Sequence, residues 1–226
     1  MLRMVAACGL LLFATAARAQ ASASIALVSD DRYRGVSLSD GDPALQLAAG
    51  FDADAGGYVG AFASTARLYG RDMLRWVGYA GWAGRFGNGA SWDIGAQYTR
   101  FSAASGDGYP ELYAGLAGER LGVRLAYARG YFGGGDALYT SLDAQQPLSR
   151  RLRLLAHAGW LHPARGADAP SAYDARLGVG LQAAGFDLQL ARTFLRGGGA
   201  EYGPAAYPLG RDATGDAWVV GVTRRW

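Results

Sequence analysis

The chain has 226 residues, 35 of them glycine, and a mean hydropathy of +0.01 although 50% of its residues are hydrophobic. Glycine is near twice its usual ~7%, which argues against a helical bundle, because each helical glycine costs about 0.5–1 kcal/mol relative to alanine. With 7 prolines and no Gly-X-Y register the chain is not collagen-like, and 12% aromatic residues exclude a disordered one. What remains is β structure with many turns.

In chain order, residues 1–19 read as an export leader. Arg3 is its positive end, Val5 to Ala14 its apolar stretch, and Ala17-Arg18-Ala19 its cleavage site, so the mature chain is expected to begin at Gln20. Val5-Ala6-Ala7-Cys8 resembles a lipoprotein cleavage box, but the apolar run continues beyond Cys8, which favours ordinary cleavage. Losing Arg3 and Arg18 takes the formal charge from +3 to +1. The basic excess therefore gives no reason to expect a nucleic-acid partner. The leader also carries the only cysteine, so disulfides and thiolate chemistry are excluded from residues 20–226. These residues form one expected domain.

Beyond the leader no run approaches 18 apolar residues, which excludes a transmembrane helix. Alternation at period two recurs instead. Leu45, Leu47, Ala49 and Phe51 alternate with Gln46, Ala48, Gly50 and Asp52. The same pattern runs through Trp92–Thr99, Glu111–Leu116, Leu121–Tyr127, Leu138–Gln145, Leu152–Trp160, Tyr173–Gln182 and Phe186–Leu190. Weaker segments lie at Ala23–Tyr33, Tyr58–Arg67, Leu74–Phe86 and Trp218–Trp226. The total is about twelve strands of roughly ten residues, the length of a tilted strand that crosses a bilayer.

The connections alternate between short and long. Short ones fall at 55–57, 87–89, 119–120, 147–151 and 183–185; long ones fall at 34–42, 68–73, 102–108, 130–136, 161–170 and 196–215. Tight turns at one end and long loops at the other are the pattern of an antiparallel up-and-down barrel in the outer membrane, with both termini at the short-turn, periplasmic end. Closure is required because an open edge cannot satisfy its backbone groups in lipid. Tyr33, Tyr58, Trp76, Trp82, Trp92, Tyr98, Tyr127, Trp160, Tyr173, Trp218 and Trp226 fit interfacial aromatic girdles. Trp218, Val220, Val222 and Trp226 share parity on a last strand with an aromatic end. That strand resembles the signal read by barrel-assembly machinery.

On the face opposite the apolar one lie Asp93, Glu111, Asp143, Asp174 and Asp187, against Arg124, Arg153 and Arg176, with His157 among them. Two readings stay open. Charges of both signs can set a transverse field for small polar solutes, or they can pair and close the lumen. Twelve strands lie between the roughly eight of side-chain-filled barrels and the roughly 16 of open porins. Catalysis is the rival class. Twelve-stranded phospholipase barrels carry His-x-Ser on one strand, whereas this chain reads His157-Ala158-Gly159, without the nucleophile beside its base. His157 and His162 alone make a metal site improbable, and no cofactor is implied. Gly133-Gly134-Gly135 and Gly197-Gly198-Gly199 lie in no strand–loop–helix unit, so they read as external loops rather than phosphate cradles.

The most distinctive segment is Ser29-Asp30-Asp31-Arg32-Tyr33-Arg34-Gly35-Val36-Ser37-Leu38-Ser39-Asp40-Gly41-Asp42-Pro43-Ala44-Leu45-Gln46. It resembles the opening motif of a family of small proteobacterial outer-membrane proteins catalogued as porins, the TorF family. Those proteins carry Ser-Asp-Tyr-x-Phe-Arg-Gly-Ile-Ser and then Asp-Gly-x-Pro-Ala-Leu-Gln; here Asp31 stands at the first aromatic position. Gly57-Tyr58-Val59-Gly60 and Glu111-Leu112-Tyr113-Ala114-Gly115 are similar to later blocks of that family. The resemblance implies an outer-membrane barrel with a pore, and supplies no substrate. Read physically, Asp30, Arg32 and Arg34 share parity, Gly35 breaks the strand, Ser39-Asp40-Gly41 turns the chain, and Pro43 opens the next strand. This predicts either a charged or inward-folded loop that filters solutes, or a structural clamp pairing Asp30 or Asp40 with Arg34.

Overall fold

The computed structural model describes residues 20–87, 89–165, 170–197 and 215–226. The expected leader, with Cys8, lies outside the described residues, as does Gly198-Gly199.

Twelve antiparallel strands close into a barrel. In chain order they are β1 (Gln20–Val28), β4 (Ala44–Asp52), β5 (Gly57–Leu68), β6 (Arg71–Arg85), β7 (Ser91–Phe101) and β8 (Ala104–Ala117). They continue with β9 (Leu121–Ala128), β10 (Ala137–Pro147), β11 (Leu152–Pro163), β12 (Ala172–Ala183), β13 (Phe186–Gly197) and β14 (Ala217–Arg225). Two short strands, β2 (Arg32–Tyr33) and β3 (Val36–Ser37), pair only with each other inside the connection from β1 to β4. Every barrel strand pairs with its sequence neighbours, and the seam that closes the ring runs from Ser24 opposite Arg225 to Val28 opposite Gly221. The Trp226 N–H extends this seam by donating to the Ala23 carbonyl at 3.0 Å. Both ends of residues 20–226 thus sit at the short-turn end.

Two of the expected long loops are hairpins instead. Tyr69-Gly70 alone joins β5 to β6, both residues having positive φ (55° and 70°), as a two-residue type I′ turn requires. Ser102-Ala103 alone joins β7 to β8, which starts at Ala104 after a register shift between Thr99 and Phe101. These strands run on past the apolar band, where pairing continues and alternation is no longer needed.

The outer surface carries the apolar parity: Leu47, Trp76, Ile94, Leu112, Leu116, Val123, Leu154, Trp160, Tyr173, Leu177, Leu190 and Trp218 are all exposed. Tyr33 and Tyr58 do not belong to it. Tyr33 lies in the inserted β2–β3 hairpin, and Tyr58 points inward, its hydroxyl 2.8 Å from that of Tyr113. Glycines on the inner face make room for such tyrosines. A methyl at Gly60, Gly81, Gly95 or Gly159 would run into Tyr79, Tyr58, Tyr113 or Tyr139 respectively. Four of the glycines that argue against a helical bundle are therefore floors for inward rings.

The outer face makes a direct prediction. Leu112, 65% exposed near the middle of β8, becomes costly as a charge. Leu112→Arg is expected to destabilise the barrel in lipid vesicles by about 2–4 kcal/mol, read as an earlier urea unfolding midpoint.

Candidate functional site

The interior has two levels. At the long-loop end the inner face is apolar and closed. Ala66, Leu68, Met73, Phe101, Tyr109, Ala128, Ala137, Leu161, Ala172 and Leu195 converge there from nine strands. Tyr131 and Phe132, from the short turn after β9, insert among them, with ring centroids 5.0 Å between Tyr109 and Tyr131 and 5.5 Å between Phe101 and Phe132. Val36 and Leu38 complete the cluster from the inserted segment.

That segment, residues 29–43, is a strap folded into the lumen. Its hairpin turns at Arg34-Gly35, both with positive φ (52° and 79°). Glycine is needed at 35 on two counts, since a Cβ there would also stand 2.6 Å from the Asp174 Cβ on β12. Inside the strap, Asp30 accepts from Ser37 Oγ (2.5 Å) and Arg32 Nε (2.5 Å), and Ser39 Oγ lies 3.2 Å from it. The Leu38 N–H donates to the Asp31 carbonyl at 2.7 Å, and the Arg67 N–H of β5 to the Leu38 carbonyl at 2.8 Å. Ser39 Oγ donates to the Asp42 carbonyl (2.7 Å), and Asp40-Gly41 turns the chain with positive φ before Pro43 leads into β4.

Two buried ion pairs tie the strap to one side of the wall, at β6 and at β8, which flank β7. Arg75 of β6 donates to Asp31 at 3.0 Å, and Gln46 Nε2 adds a bond to Asp31 at 2.9 Å. Two strands along the ring, Arg34 pairs with Glu111 of β8, their side chains 6% and 0% exposed. Glu111 also accepts from Gln97 Nε2 (2.6 Å) and from the Tyr33 hydroxyl (3.0 Å). Burial pushes the Tyr33 hydroxyl up to about 12, which keeps it a neutral donor. The Arg34 guanidinium lies over three rings, 4.3 Å from the Tyr139 centroid, 4.8 Å from Tyr33 and 5.2 Å from Tyr131. The expected clamp between Arg34 and Asp30 or Asp40 is therefore corrected. Arg34 reaches the wall, Asp30 is used within the strap, and Asp40 forms its second turn.

Beneath the strap a cavity of about 750 Å³ extends to the β8–β9 turn at Ala117–Gly122. Of the remaining expected residues, Arg124, Asp143, His157, Asp174 and Arg176 line this cavity, whereas Asp93, Arg153 and Asp187 do not. Arg124 pairs with Asp93 at 2.8 Å and lies over the Tyr113 ring. Arg153 pairs with Asp187 at 2.7 Å, and Arg225 reaches the same carboxylate at 2.9 Å. His157 joins the strands on either side, its Nδ1 2.7 Å from Asp143 and its Nε2 3.0 Å from Asp174. The Tyr139 hydroxyl donates to Asp174 at 3.0 Å and lies 3.0 Å from His157 Nε2. Arg176 hydrogen-bonds Gln189 Oε1. Trp218, Val220, Val222 and Trp226 instead line the outside of β14 or its end.

Arg75, Asp31, Gln46, Gln97, Tyr113, Tyr139 and Gln189 also belong to the site, beyond the residues expected from sequence. Arg75 had a signal, its parity opposite to the outward Leu74 and Trp76. Asp31 had none, because an irregular strap has no period.

The fold resembles solved porins at low identity. The KdgM porin matches with a TM-score of 0.56 and 11% identity, covering 90% of this chain and 98% of that one. The NanC porin matches with a TM-score of 0.56 and 9% identity over the same shares. The KdgM porin in complex with disordered oligogalacturonate matches with a TM-score of 0.54 and 10% identity, again over 90% and 98%. No curated protein matches the sequence. The family model described as bacterial protein of unknown function (Gcw_chp) matches residues 14–226, nearly the whole chain, and the chain belongs to that family.

Proposed function

We propose that this barrel is an outer-membrane porin for passive diffusion of small polar solutes, its passage constricted by the strap. The observation that carries this reading is the cavity of about 750 Å³ inside a closed barrel, lined by charges of both signs. The apolar outer parity suits lipid, and the solved porins of the same fold and the TorF-like opening motif point the same way. In this reading residues 1–19 direct export and are removed. The outward-facing aromatic end of β14 is read by barrel-assembly machinery, and the short turns face the periplasm.

The constriction is the strap and the apolar cluster above it, so conduction requires the strap to shift. That closed end also favours a second reading, a non-conducting barrel that binds partners through its loops. Liposome swelling separates the two. Vesicles carrying the refolded barrel are expected to swell in small neutral polyols and zwitterions at a rate that falls with solute size. Swelling no faster than in empty vesicles for every solute supports the non-conducting barrel.

A further inference from the structure

Most lumen charges are already matched: Arg34 with Glu111, Arg75 with Asp31, Arg124 with Asp93, Arg153 with Asp187. Among the described residues lining the cavity, three charges are not: Arg176, and Glu119 and Arg120 at the turn rim. Among the described residues Arg176 has no carboxylate within 4.0 Å, and its recorded partner is the neutral Gln189. Arg120, likewise without one, sits at the turn rim and bonds Gln146. On the acidic side, Asp143 uses one oxygen on His157, and its side chain remains 63% exposed.

Register sets Asp143 and Arg176 side by side at one level of the wall. Asp143 is opposite His157, and His157 is opposite Arg176. The two thus flank His157, two strand spacings of about 4.8 Å apart. His157 is held on both ring nitrogens by Asp143 and Asp174, and acts as a fixed spacer.

We infer that Asp143 and Arg176 form a subsite for a small zwitterion, an amino acid or short peptide, with its carboxylate on Arg176 and its ammonium on Asp143. The inference rests on reading the cavity as a solute path. The choice of class follows from charge. A simple anion on Arg176 would lie beside Asp143 and Asp174, and a simple cation on Asp143 would lie beside Arg176 and Arg124. A zwitterion answers both open groups and leaves no like charges juxtaposed. Guanidinium suits a carboxylate through two parallel N–H donors, and Arg176 has donors left after Gln189.

The test is saturation-transfer NMR on the refolded full barrel in detergent micelles, with L-alanine, propionate and ethylammonium as probes. Propionate lacks the ammonium of alanine and ethylammonium lacks its carboxylate. Alanine is expected to bind about tenfold more tightly than either, with Arg176→Gln and Asp143→Asn each removing that advantage. Arg176→Lys, which keeps the charge, is expected to retain part of it; heat-modifiable migration on gels verifies that each variant is folded. Propionate binding as tightly as alanine, alanine binding unchanged in both neutral variants, or no binding of any probe at millimolar concentration would overturn the subsite. Failure here is separable from failure of the porin reading. Alanine bound by a barrel silent in vesicles sinks the porin alone, and a conducting barrel blind to alanine sinks the subsite alone.

Discussion

Arg34→Ala is expected to turn a constricted barrel into a leakier one. Arg34 and Glu111 are 6% and 0% exposed, so their pairing takes place away from solvent. Removing one partner of such a pair typically costs about 3–5 kcal/mol, because the other is left buried and uncompensated. Here that cost falls on the docked strap and not on the barrel, since an undocked strap frees Glu111 to meet solvent. A loss of about 3 kcal/mol lowers the docked-to-free ratio roughly 100-fold. The three tyrosines around the guanidinium lose their cation as well. Trypsin reads the change without any assumption about conduction. The Arg32 side chain is only 8% exposed in the wild-type strap, so trypsin should cut it slowly there, and quickly after Arg34→Ala. Arg67→Ala is the control. Its partners Asp42 and Asp72 are exposed, so little change is expected. Equal protection of the strap in Arg34→Ala and wild type would remove Arg34 as its latch.

Gly35→Ala is expected to act in the same direction by a different route. The residue has φ +79°, and a Cβ would meet the Asp174 Cβ at 2.6 Å and Leu195 Cδ1 at 3.0 Å. The left-handed conformation alone costs about 1–2 kcal/mol for a residue with a Cβ. The contact with Asp174 adds to it, because β12 is fixed in the barrel wall and cannot yield. No charge is lost, so the effect should be insensitive to salt. Faster tryptic cleavage of the strap at both low and high ionic strength is the expected result. A strap as protected as wild type would show that its apex does not seat against β12.

The two variants touch the parts of the molecule that were read least well from sequence. Period-two alternation assigns a face to each residue, and Glu111, Asp143, His157, Asp174 and Arg176 could be placed inward from it alone. It says nothing about partners. Arg34 and Glu111 are separated by 77 positions, and only barrel closure brings them together. Short-range turn chemistry suggested Asp30 or Asp40 instead, and did account for Ser39-Asp40-Gly41. Tyr69-Gly70 forms a two-residue hairpin inside the longer loop expected at 68–73, because the strands beyond the apolar band lose the alternation that marks them. Tyr33 and Tyr58 show the opposite error. Aromatic residues near strand ends suit a lipid interface, yet these two fill the lumen, where Gly81 provides the floor for Tyr58.

Single-channel recording in a planar bilayer tests the central claim most directly, with wild type and Arg34→Ala compared side by side after both show heat-modifiable migration. A porin constricted by its strap gives discrete conductance steps that are less frequent or smaller in wild type than in Arg34→Ala. Silence of both barrels at every voltage and with every solute added would contradict it.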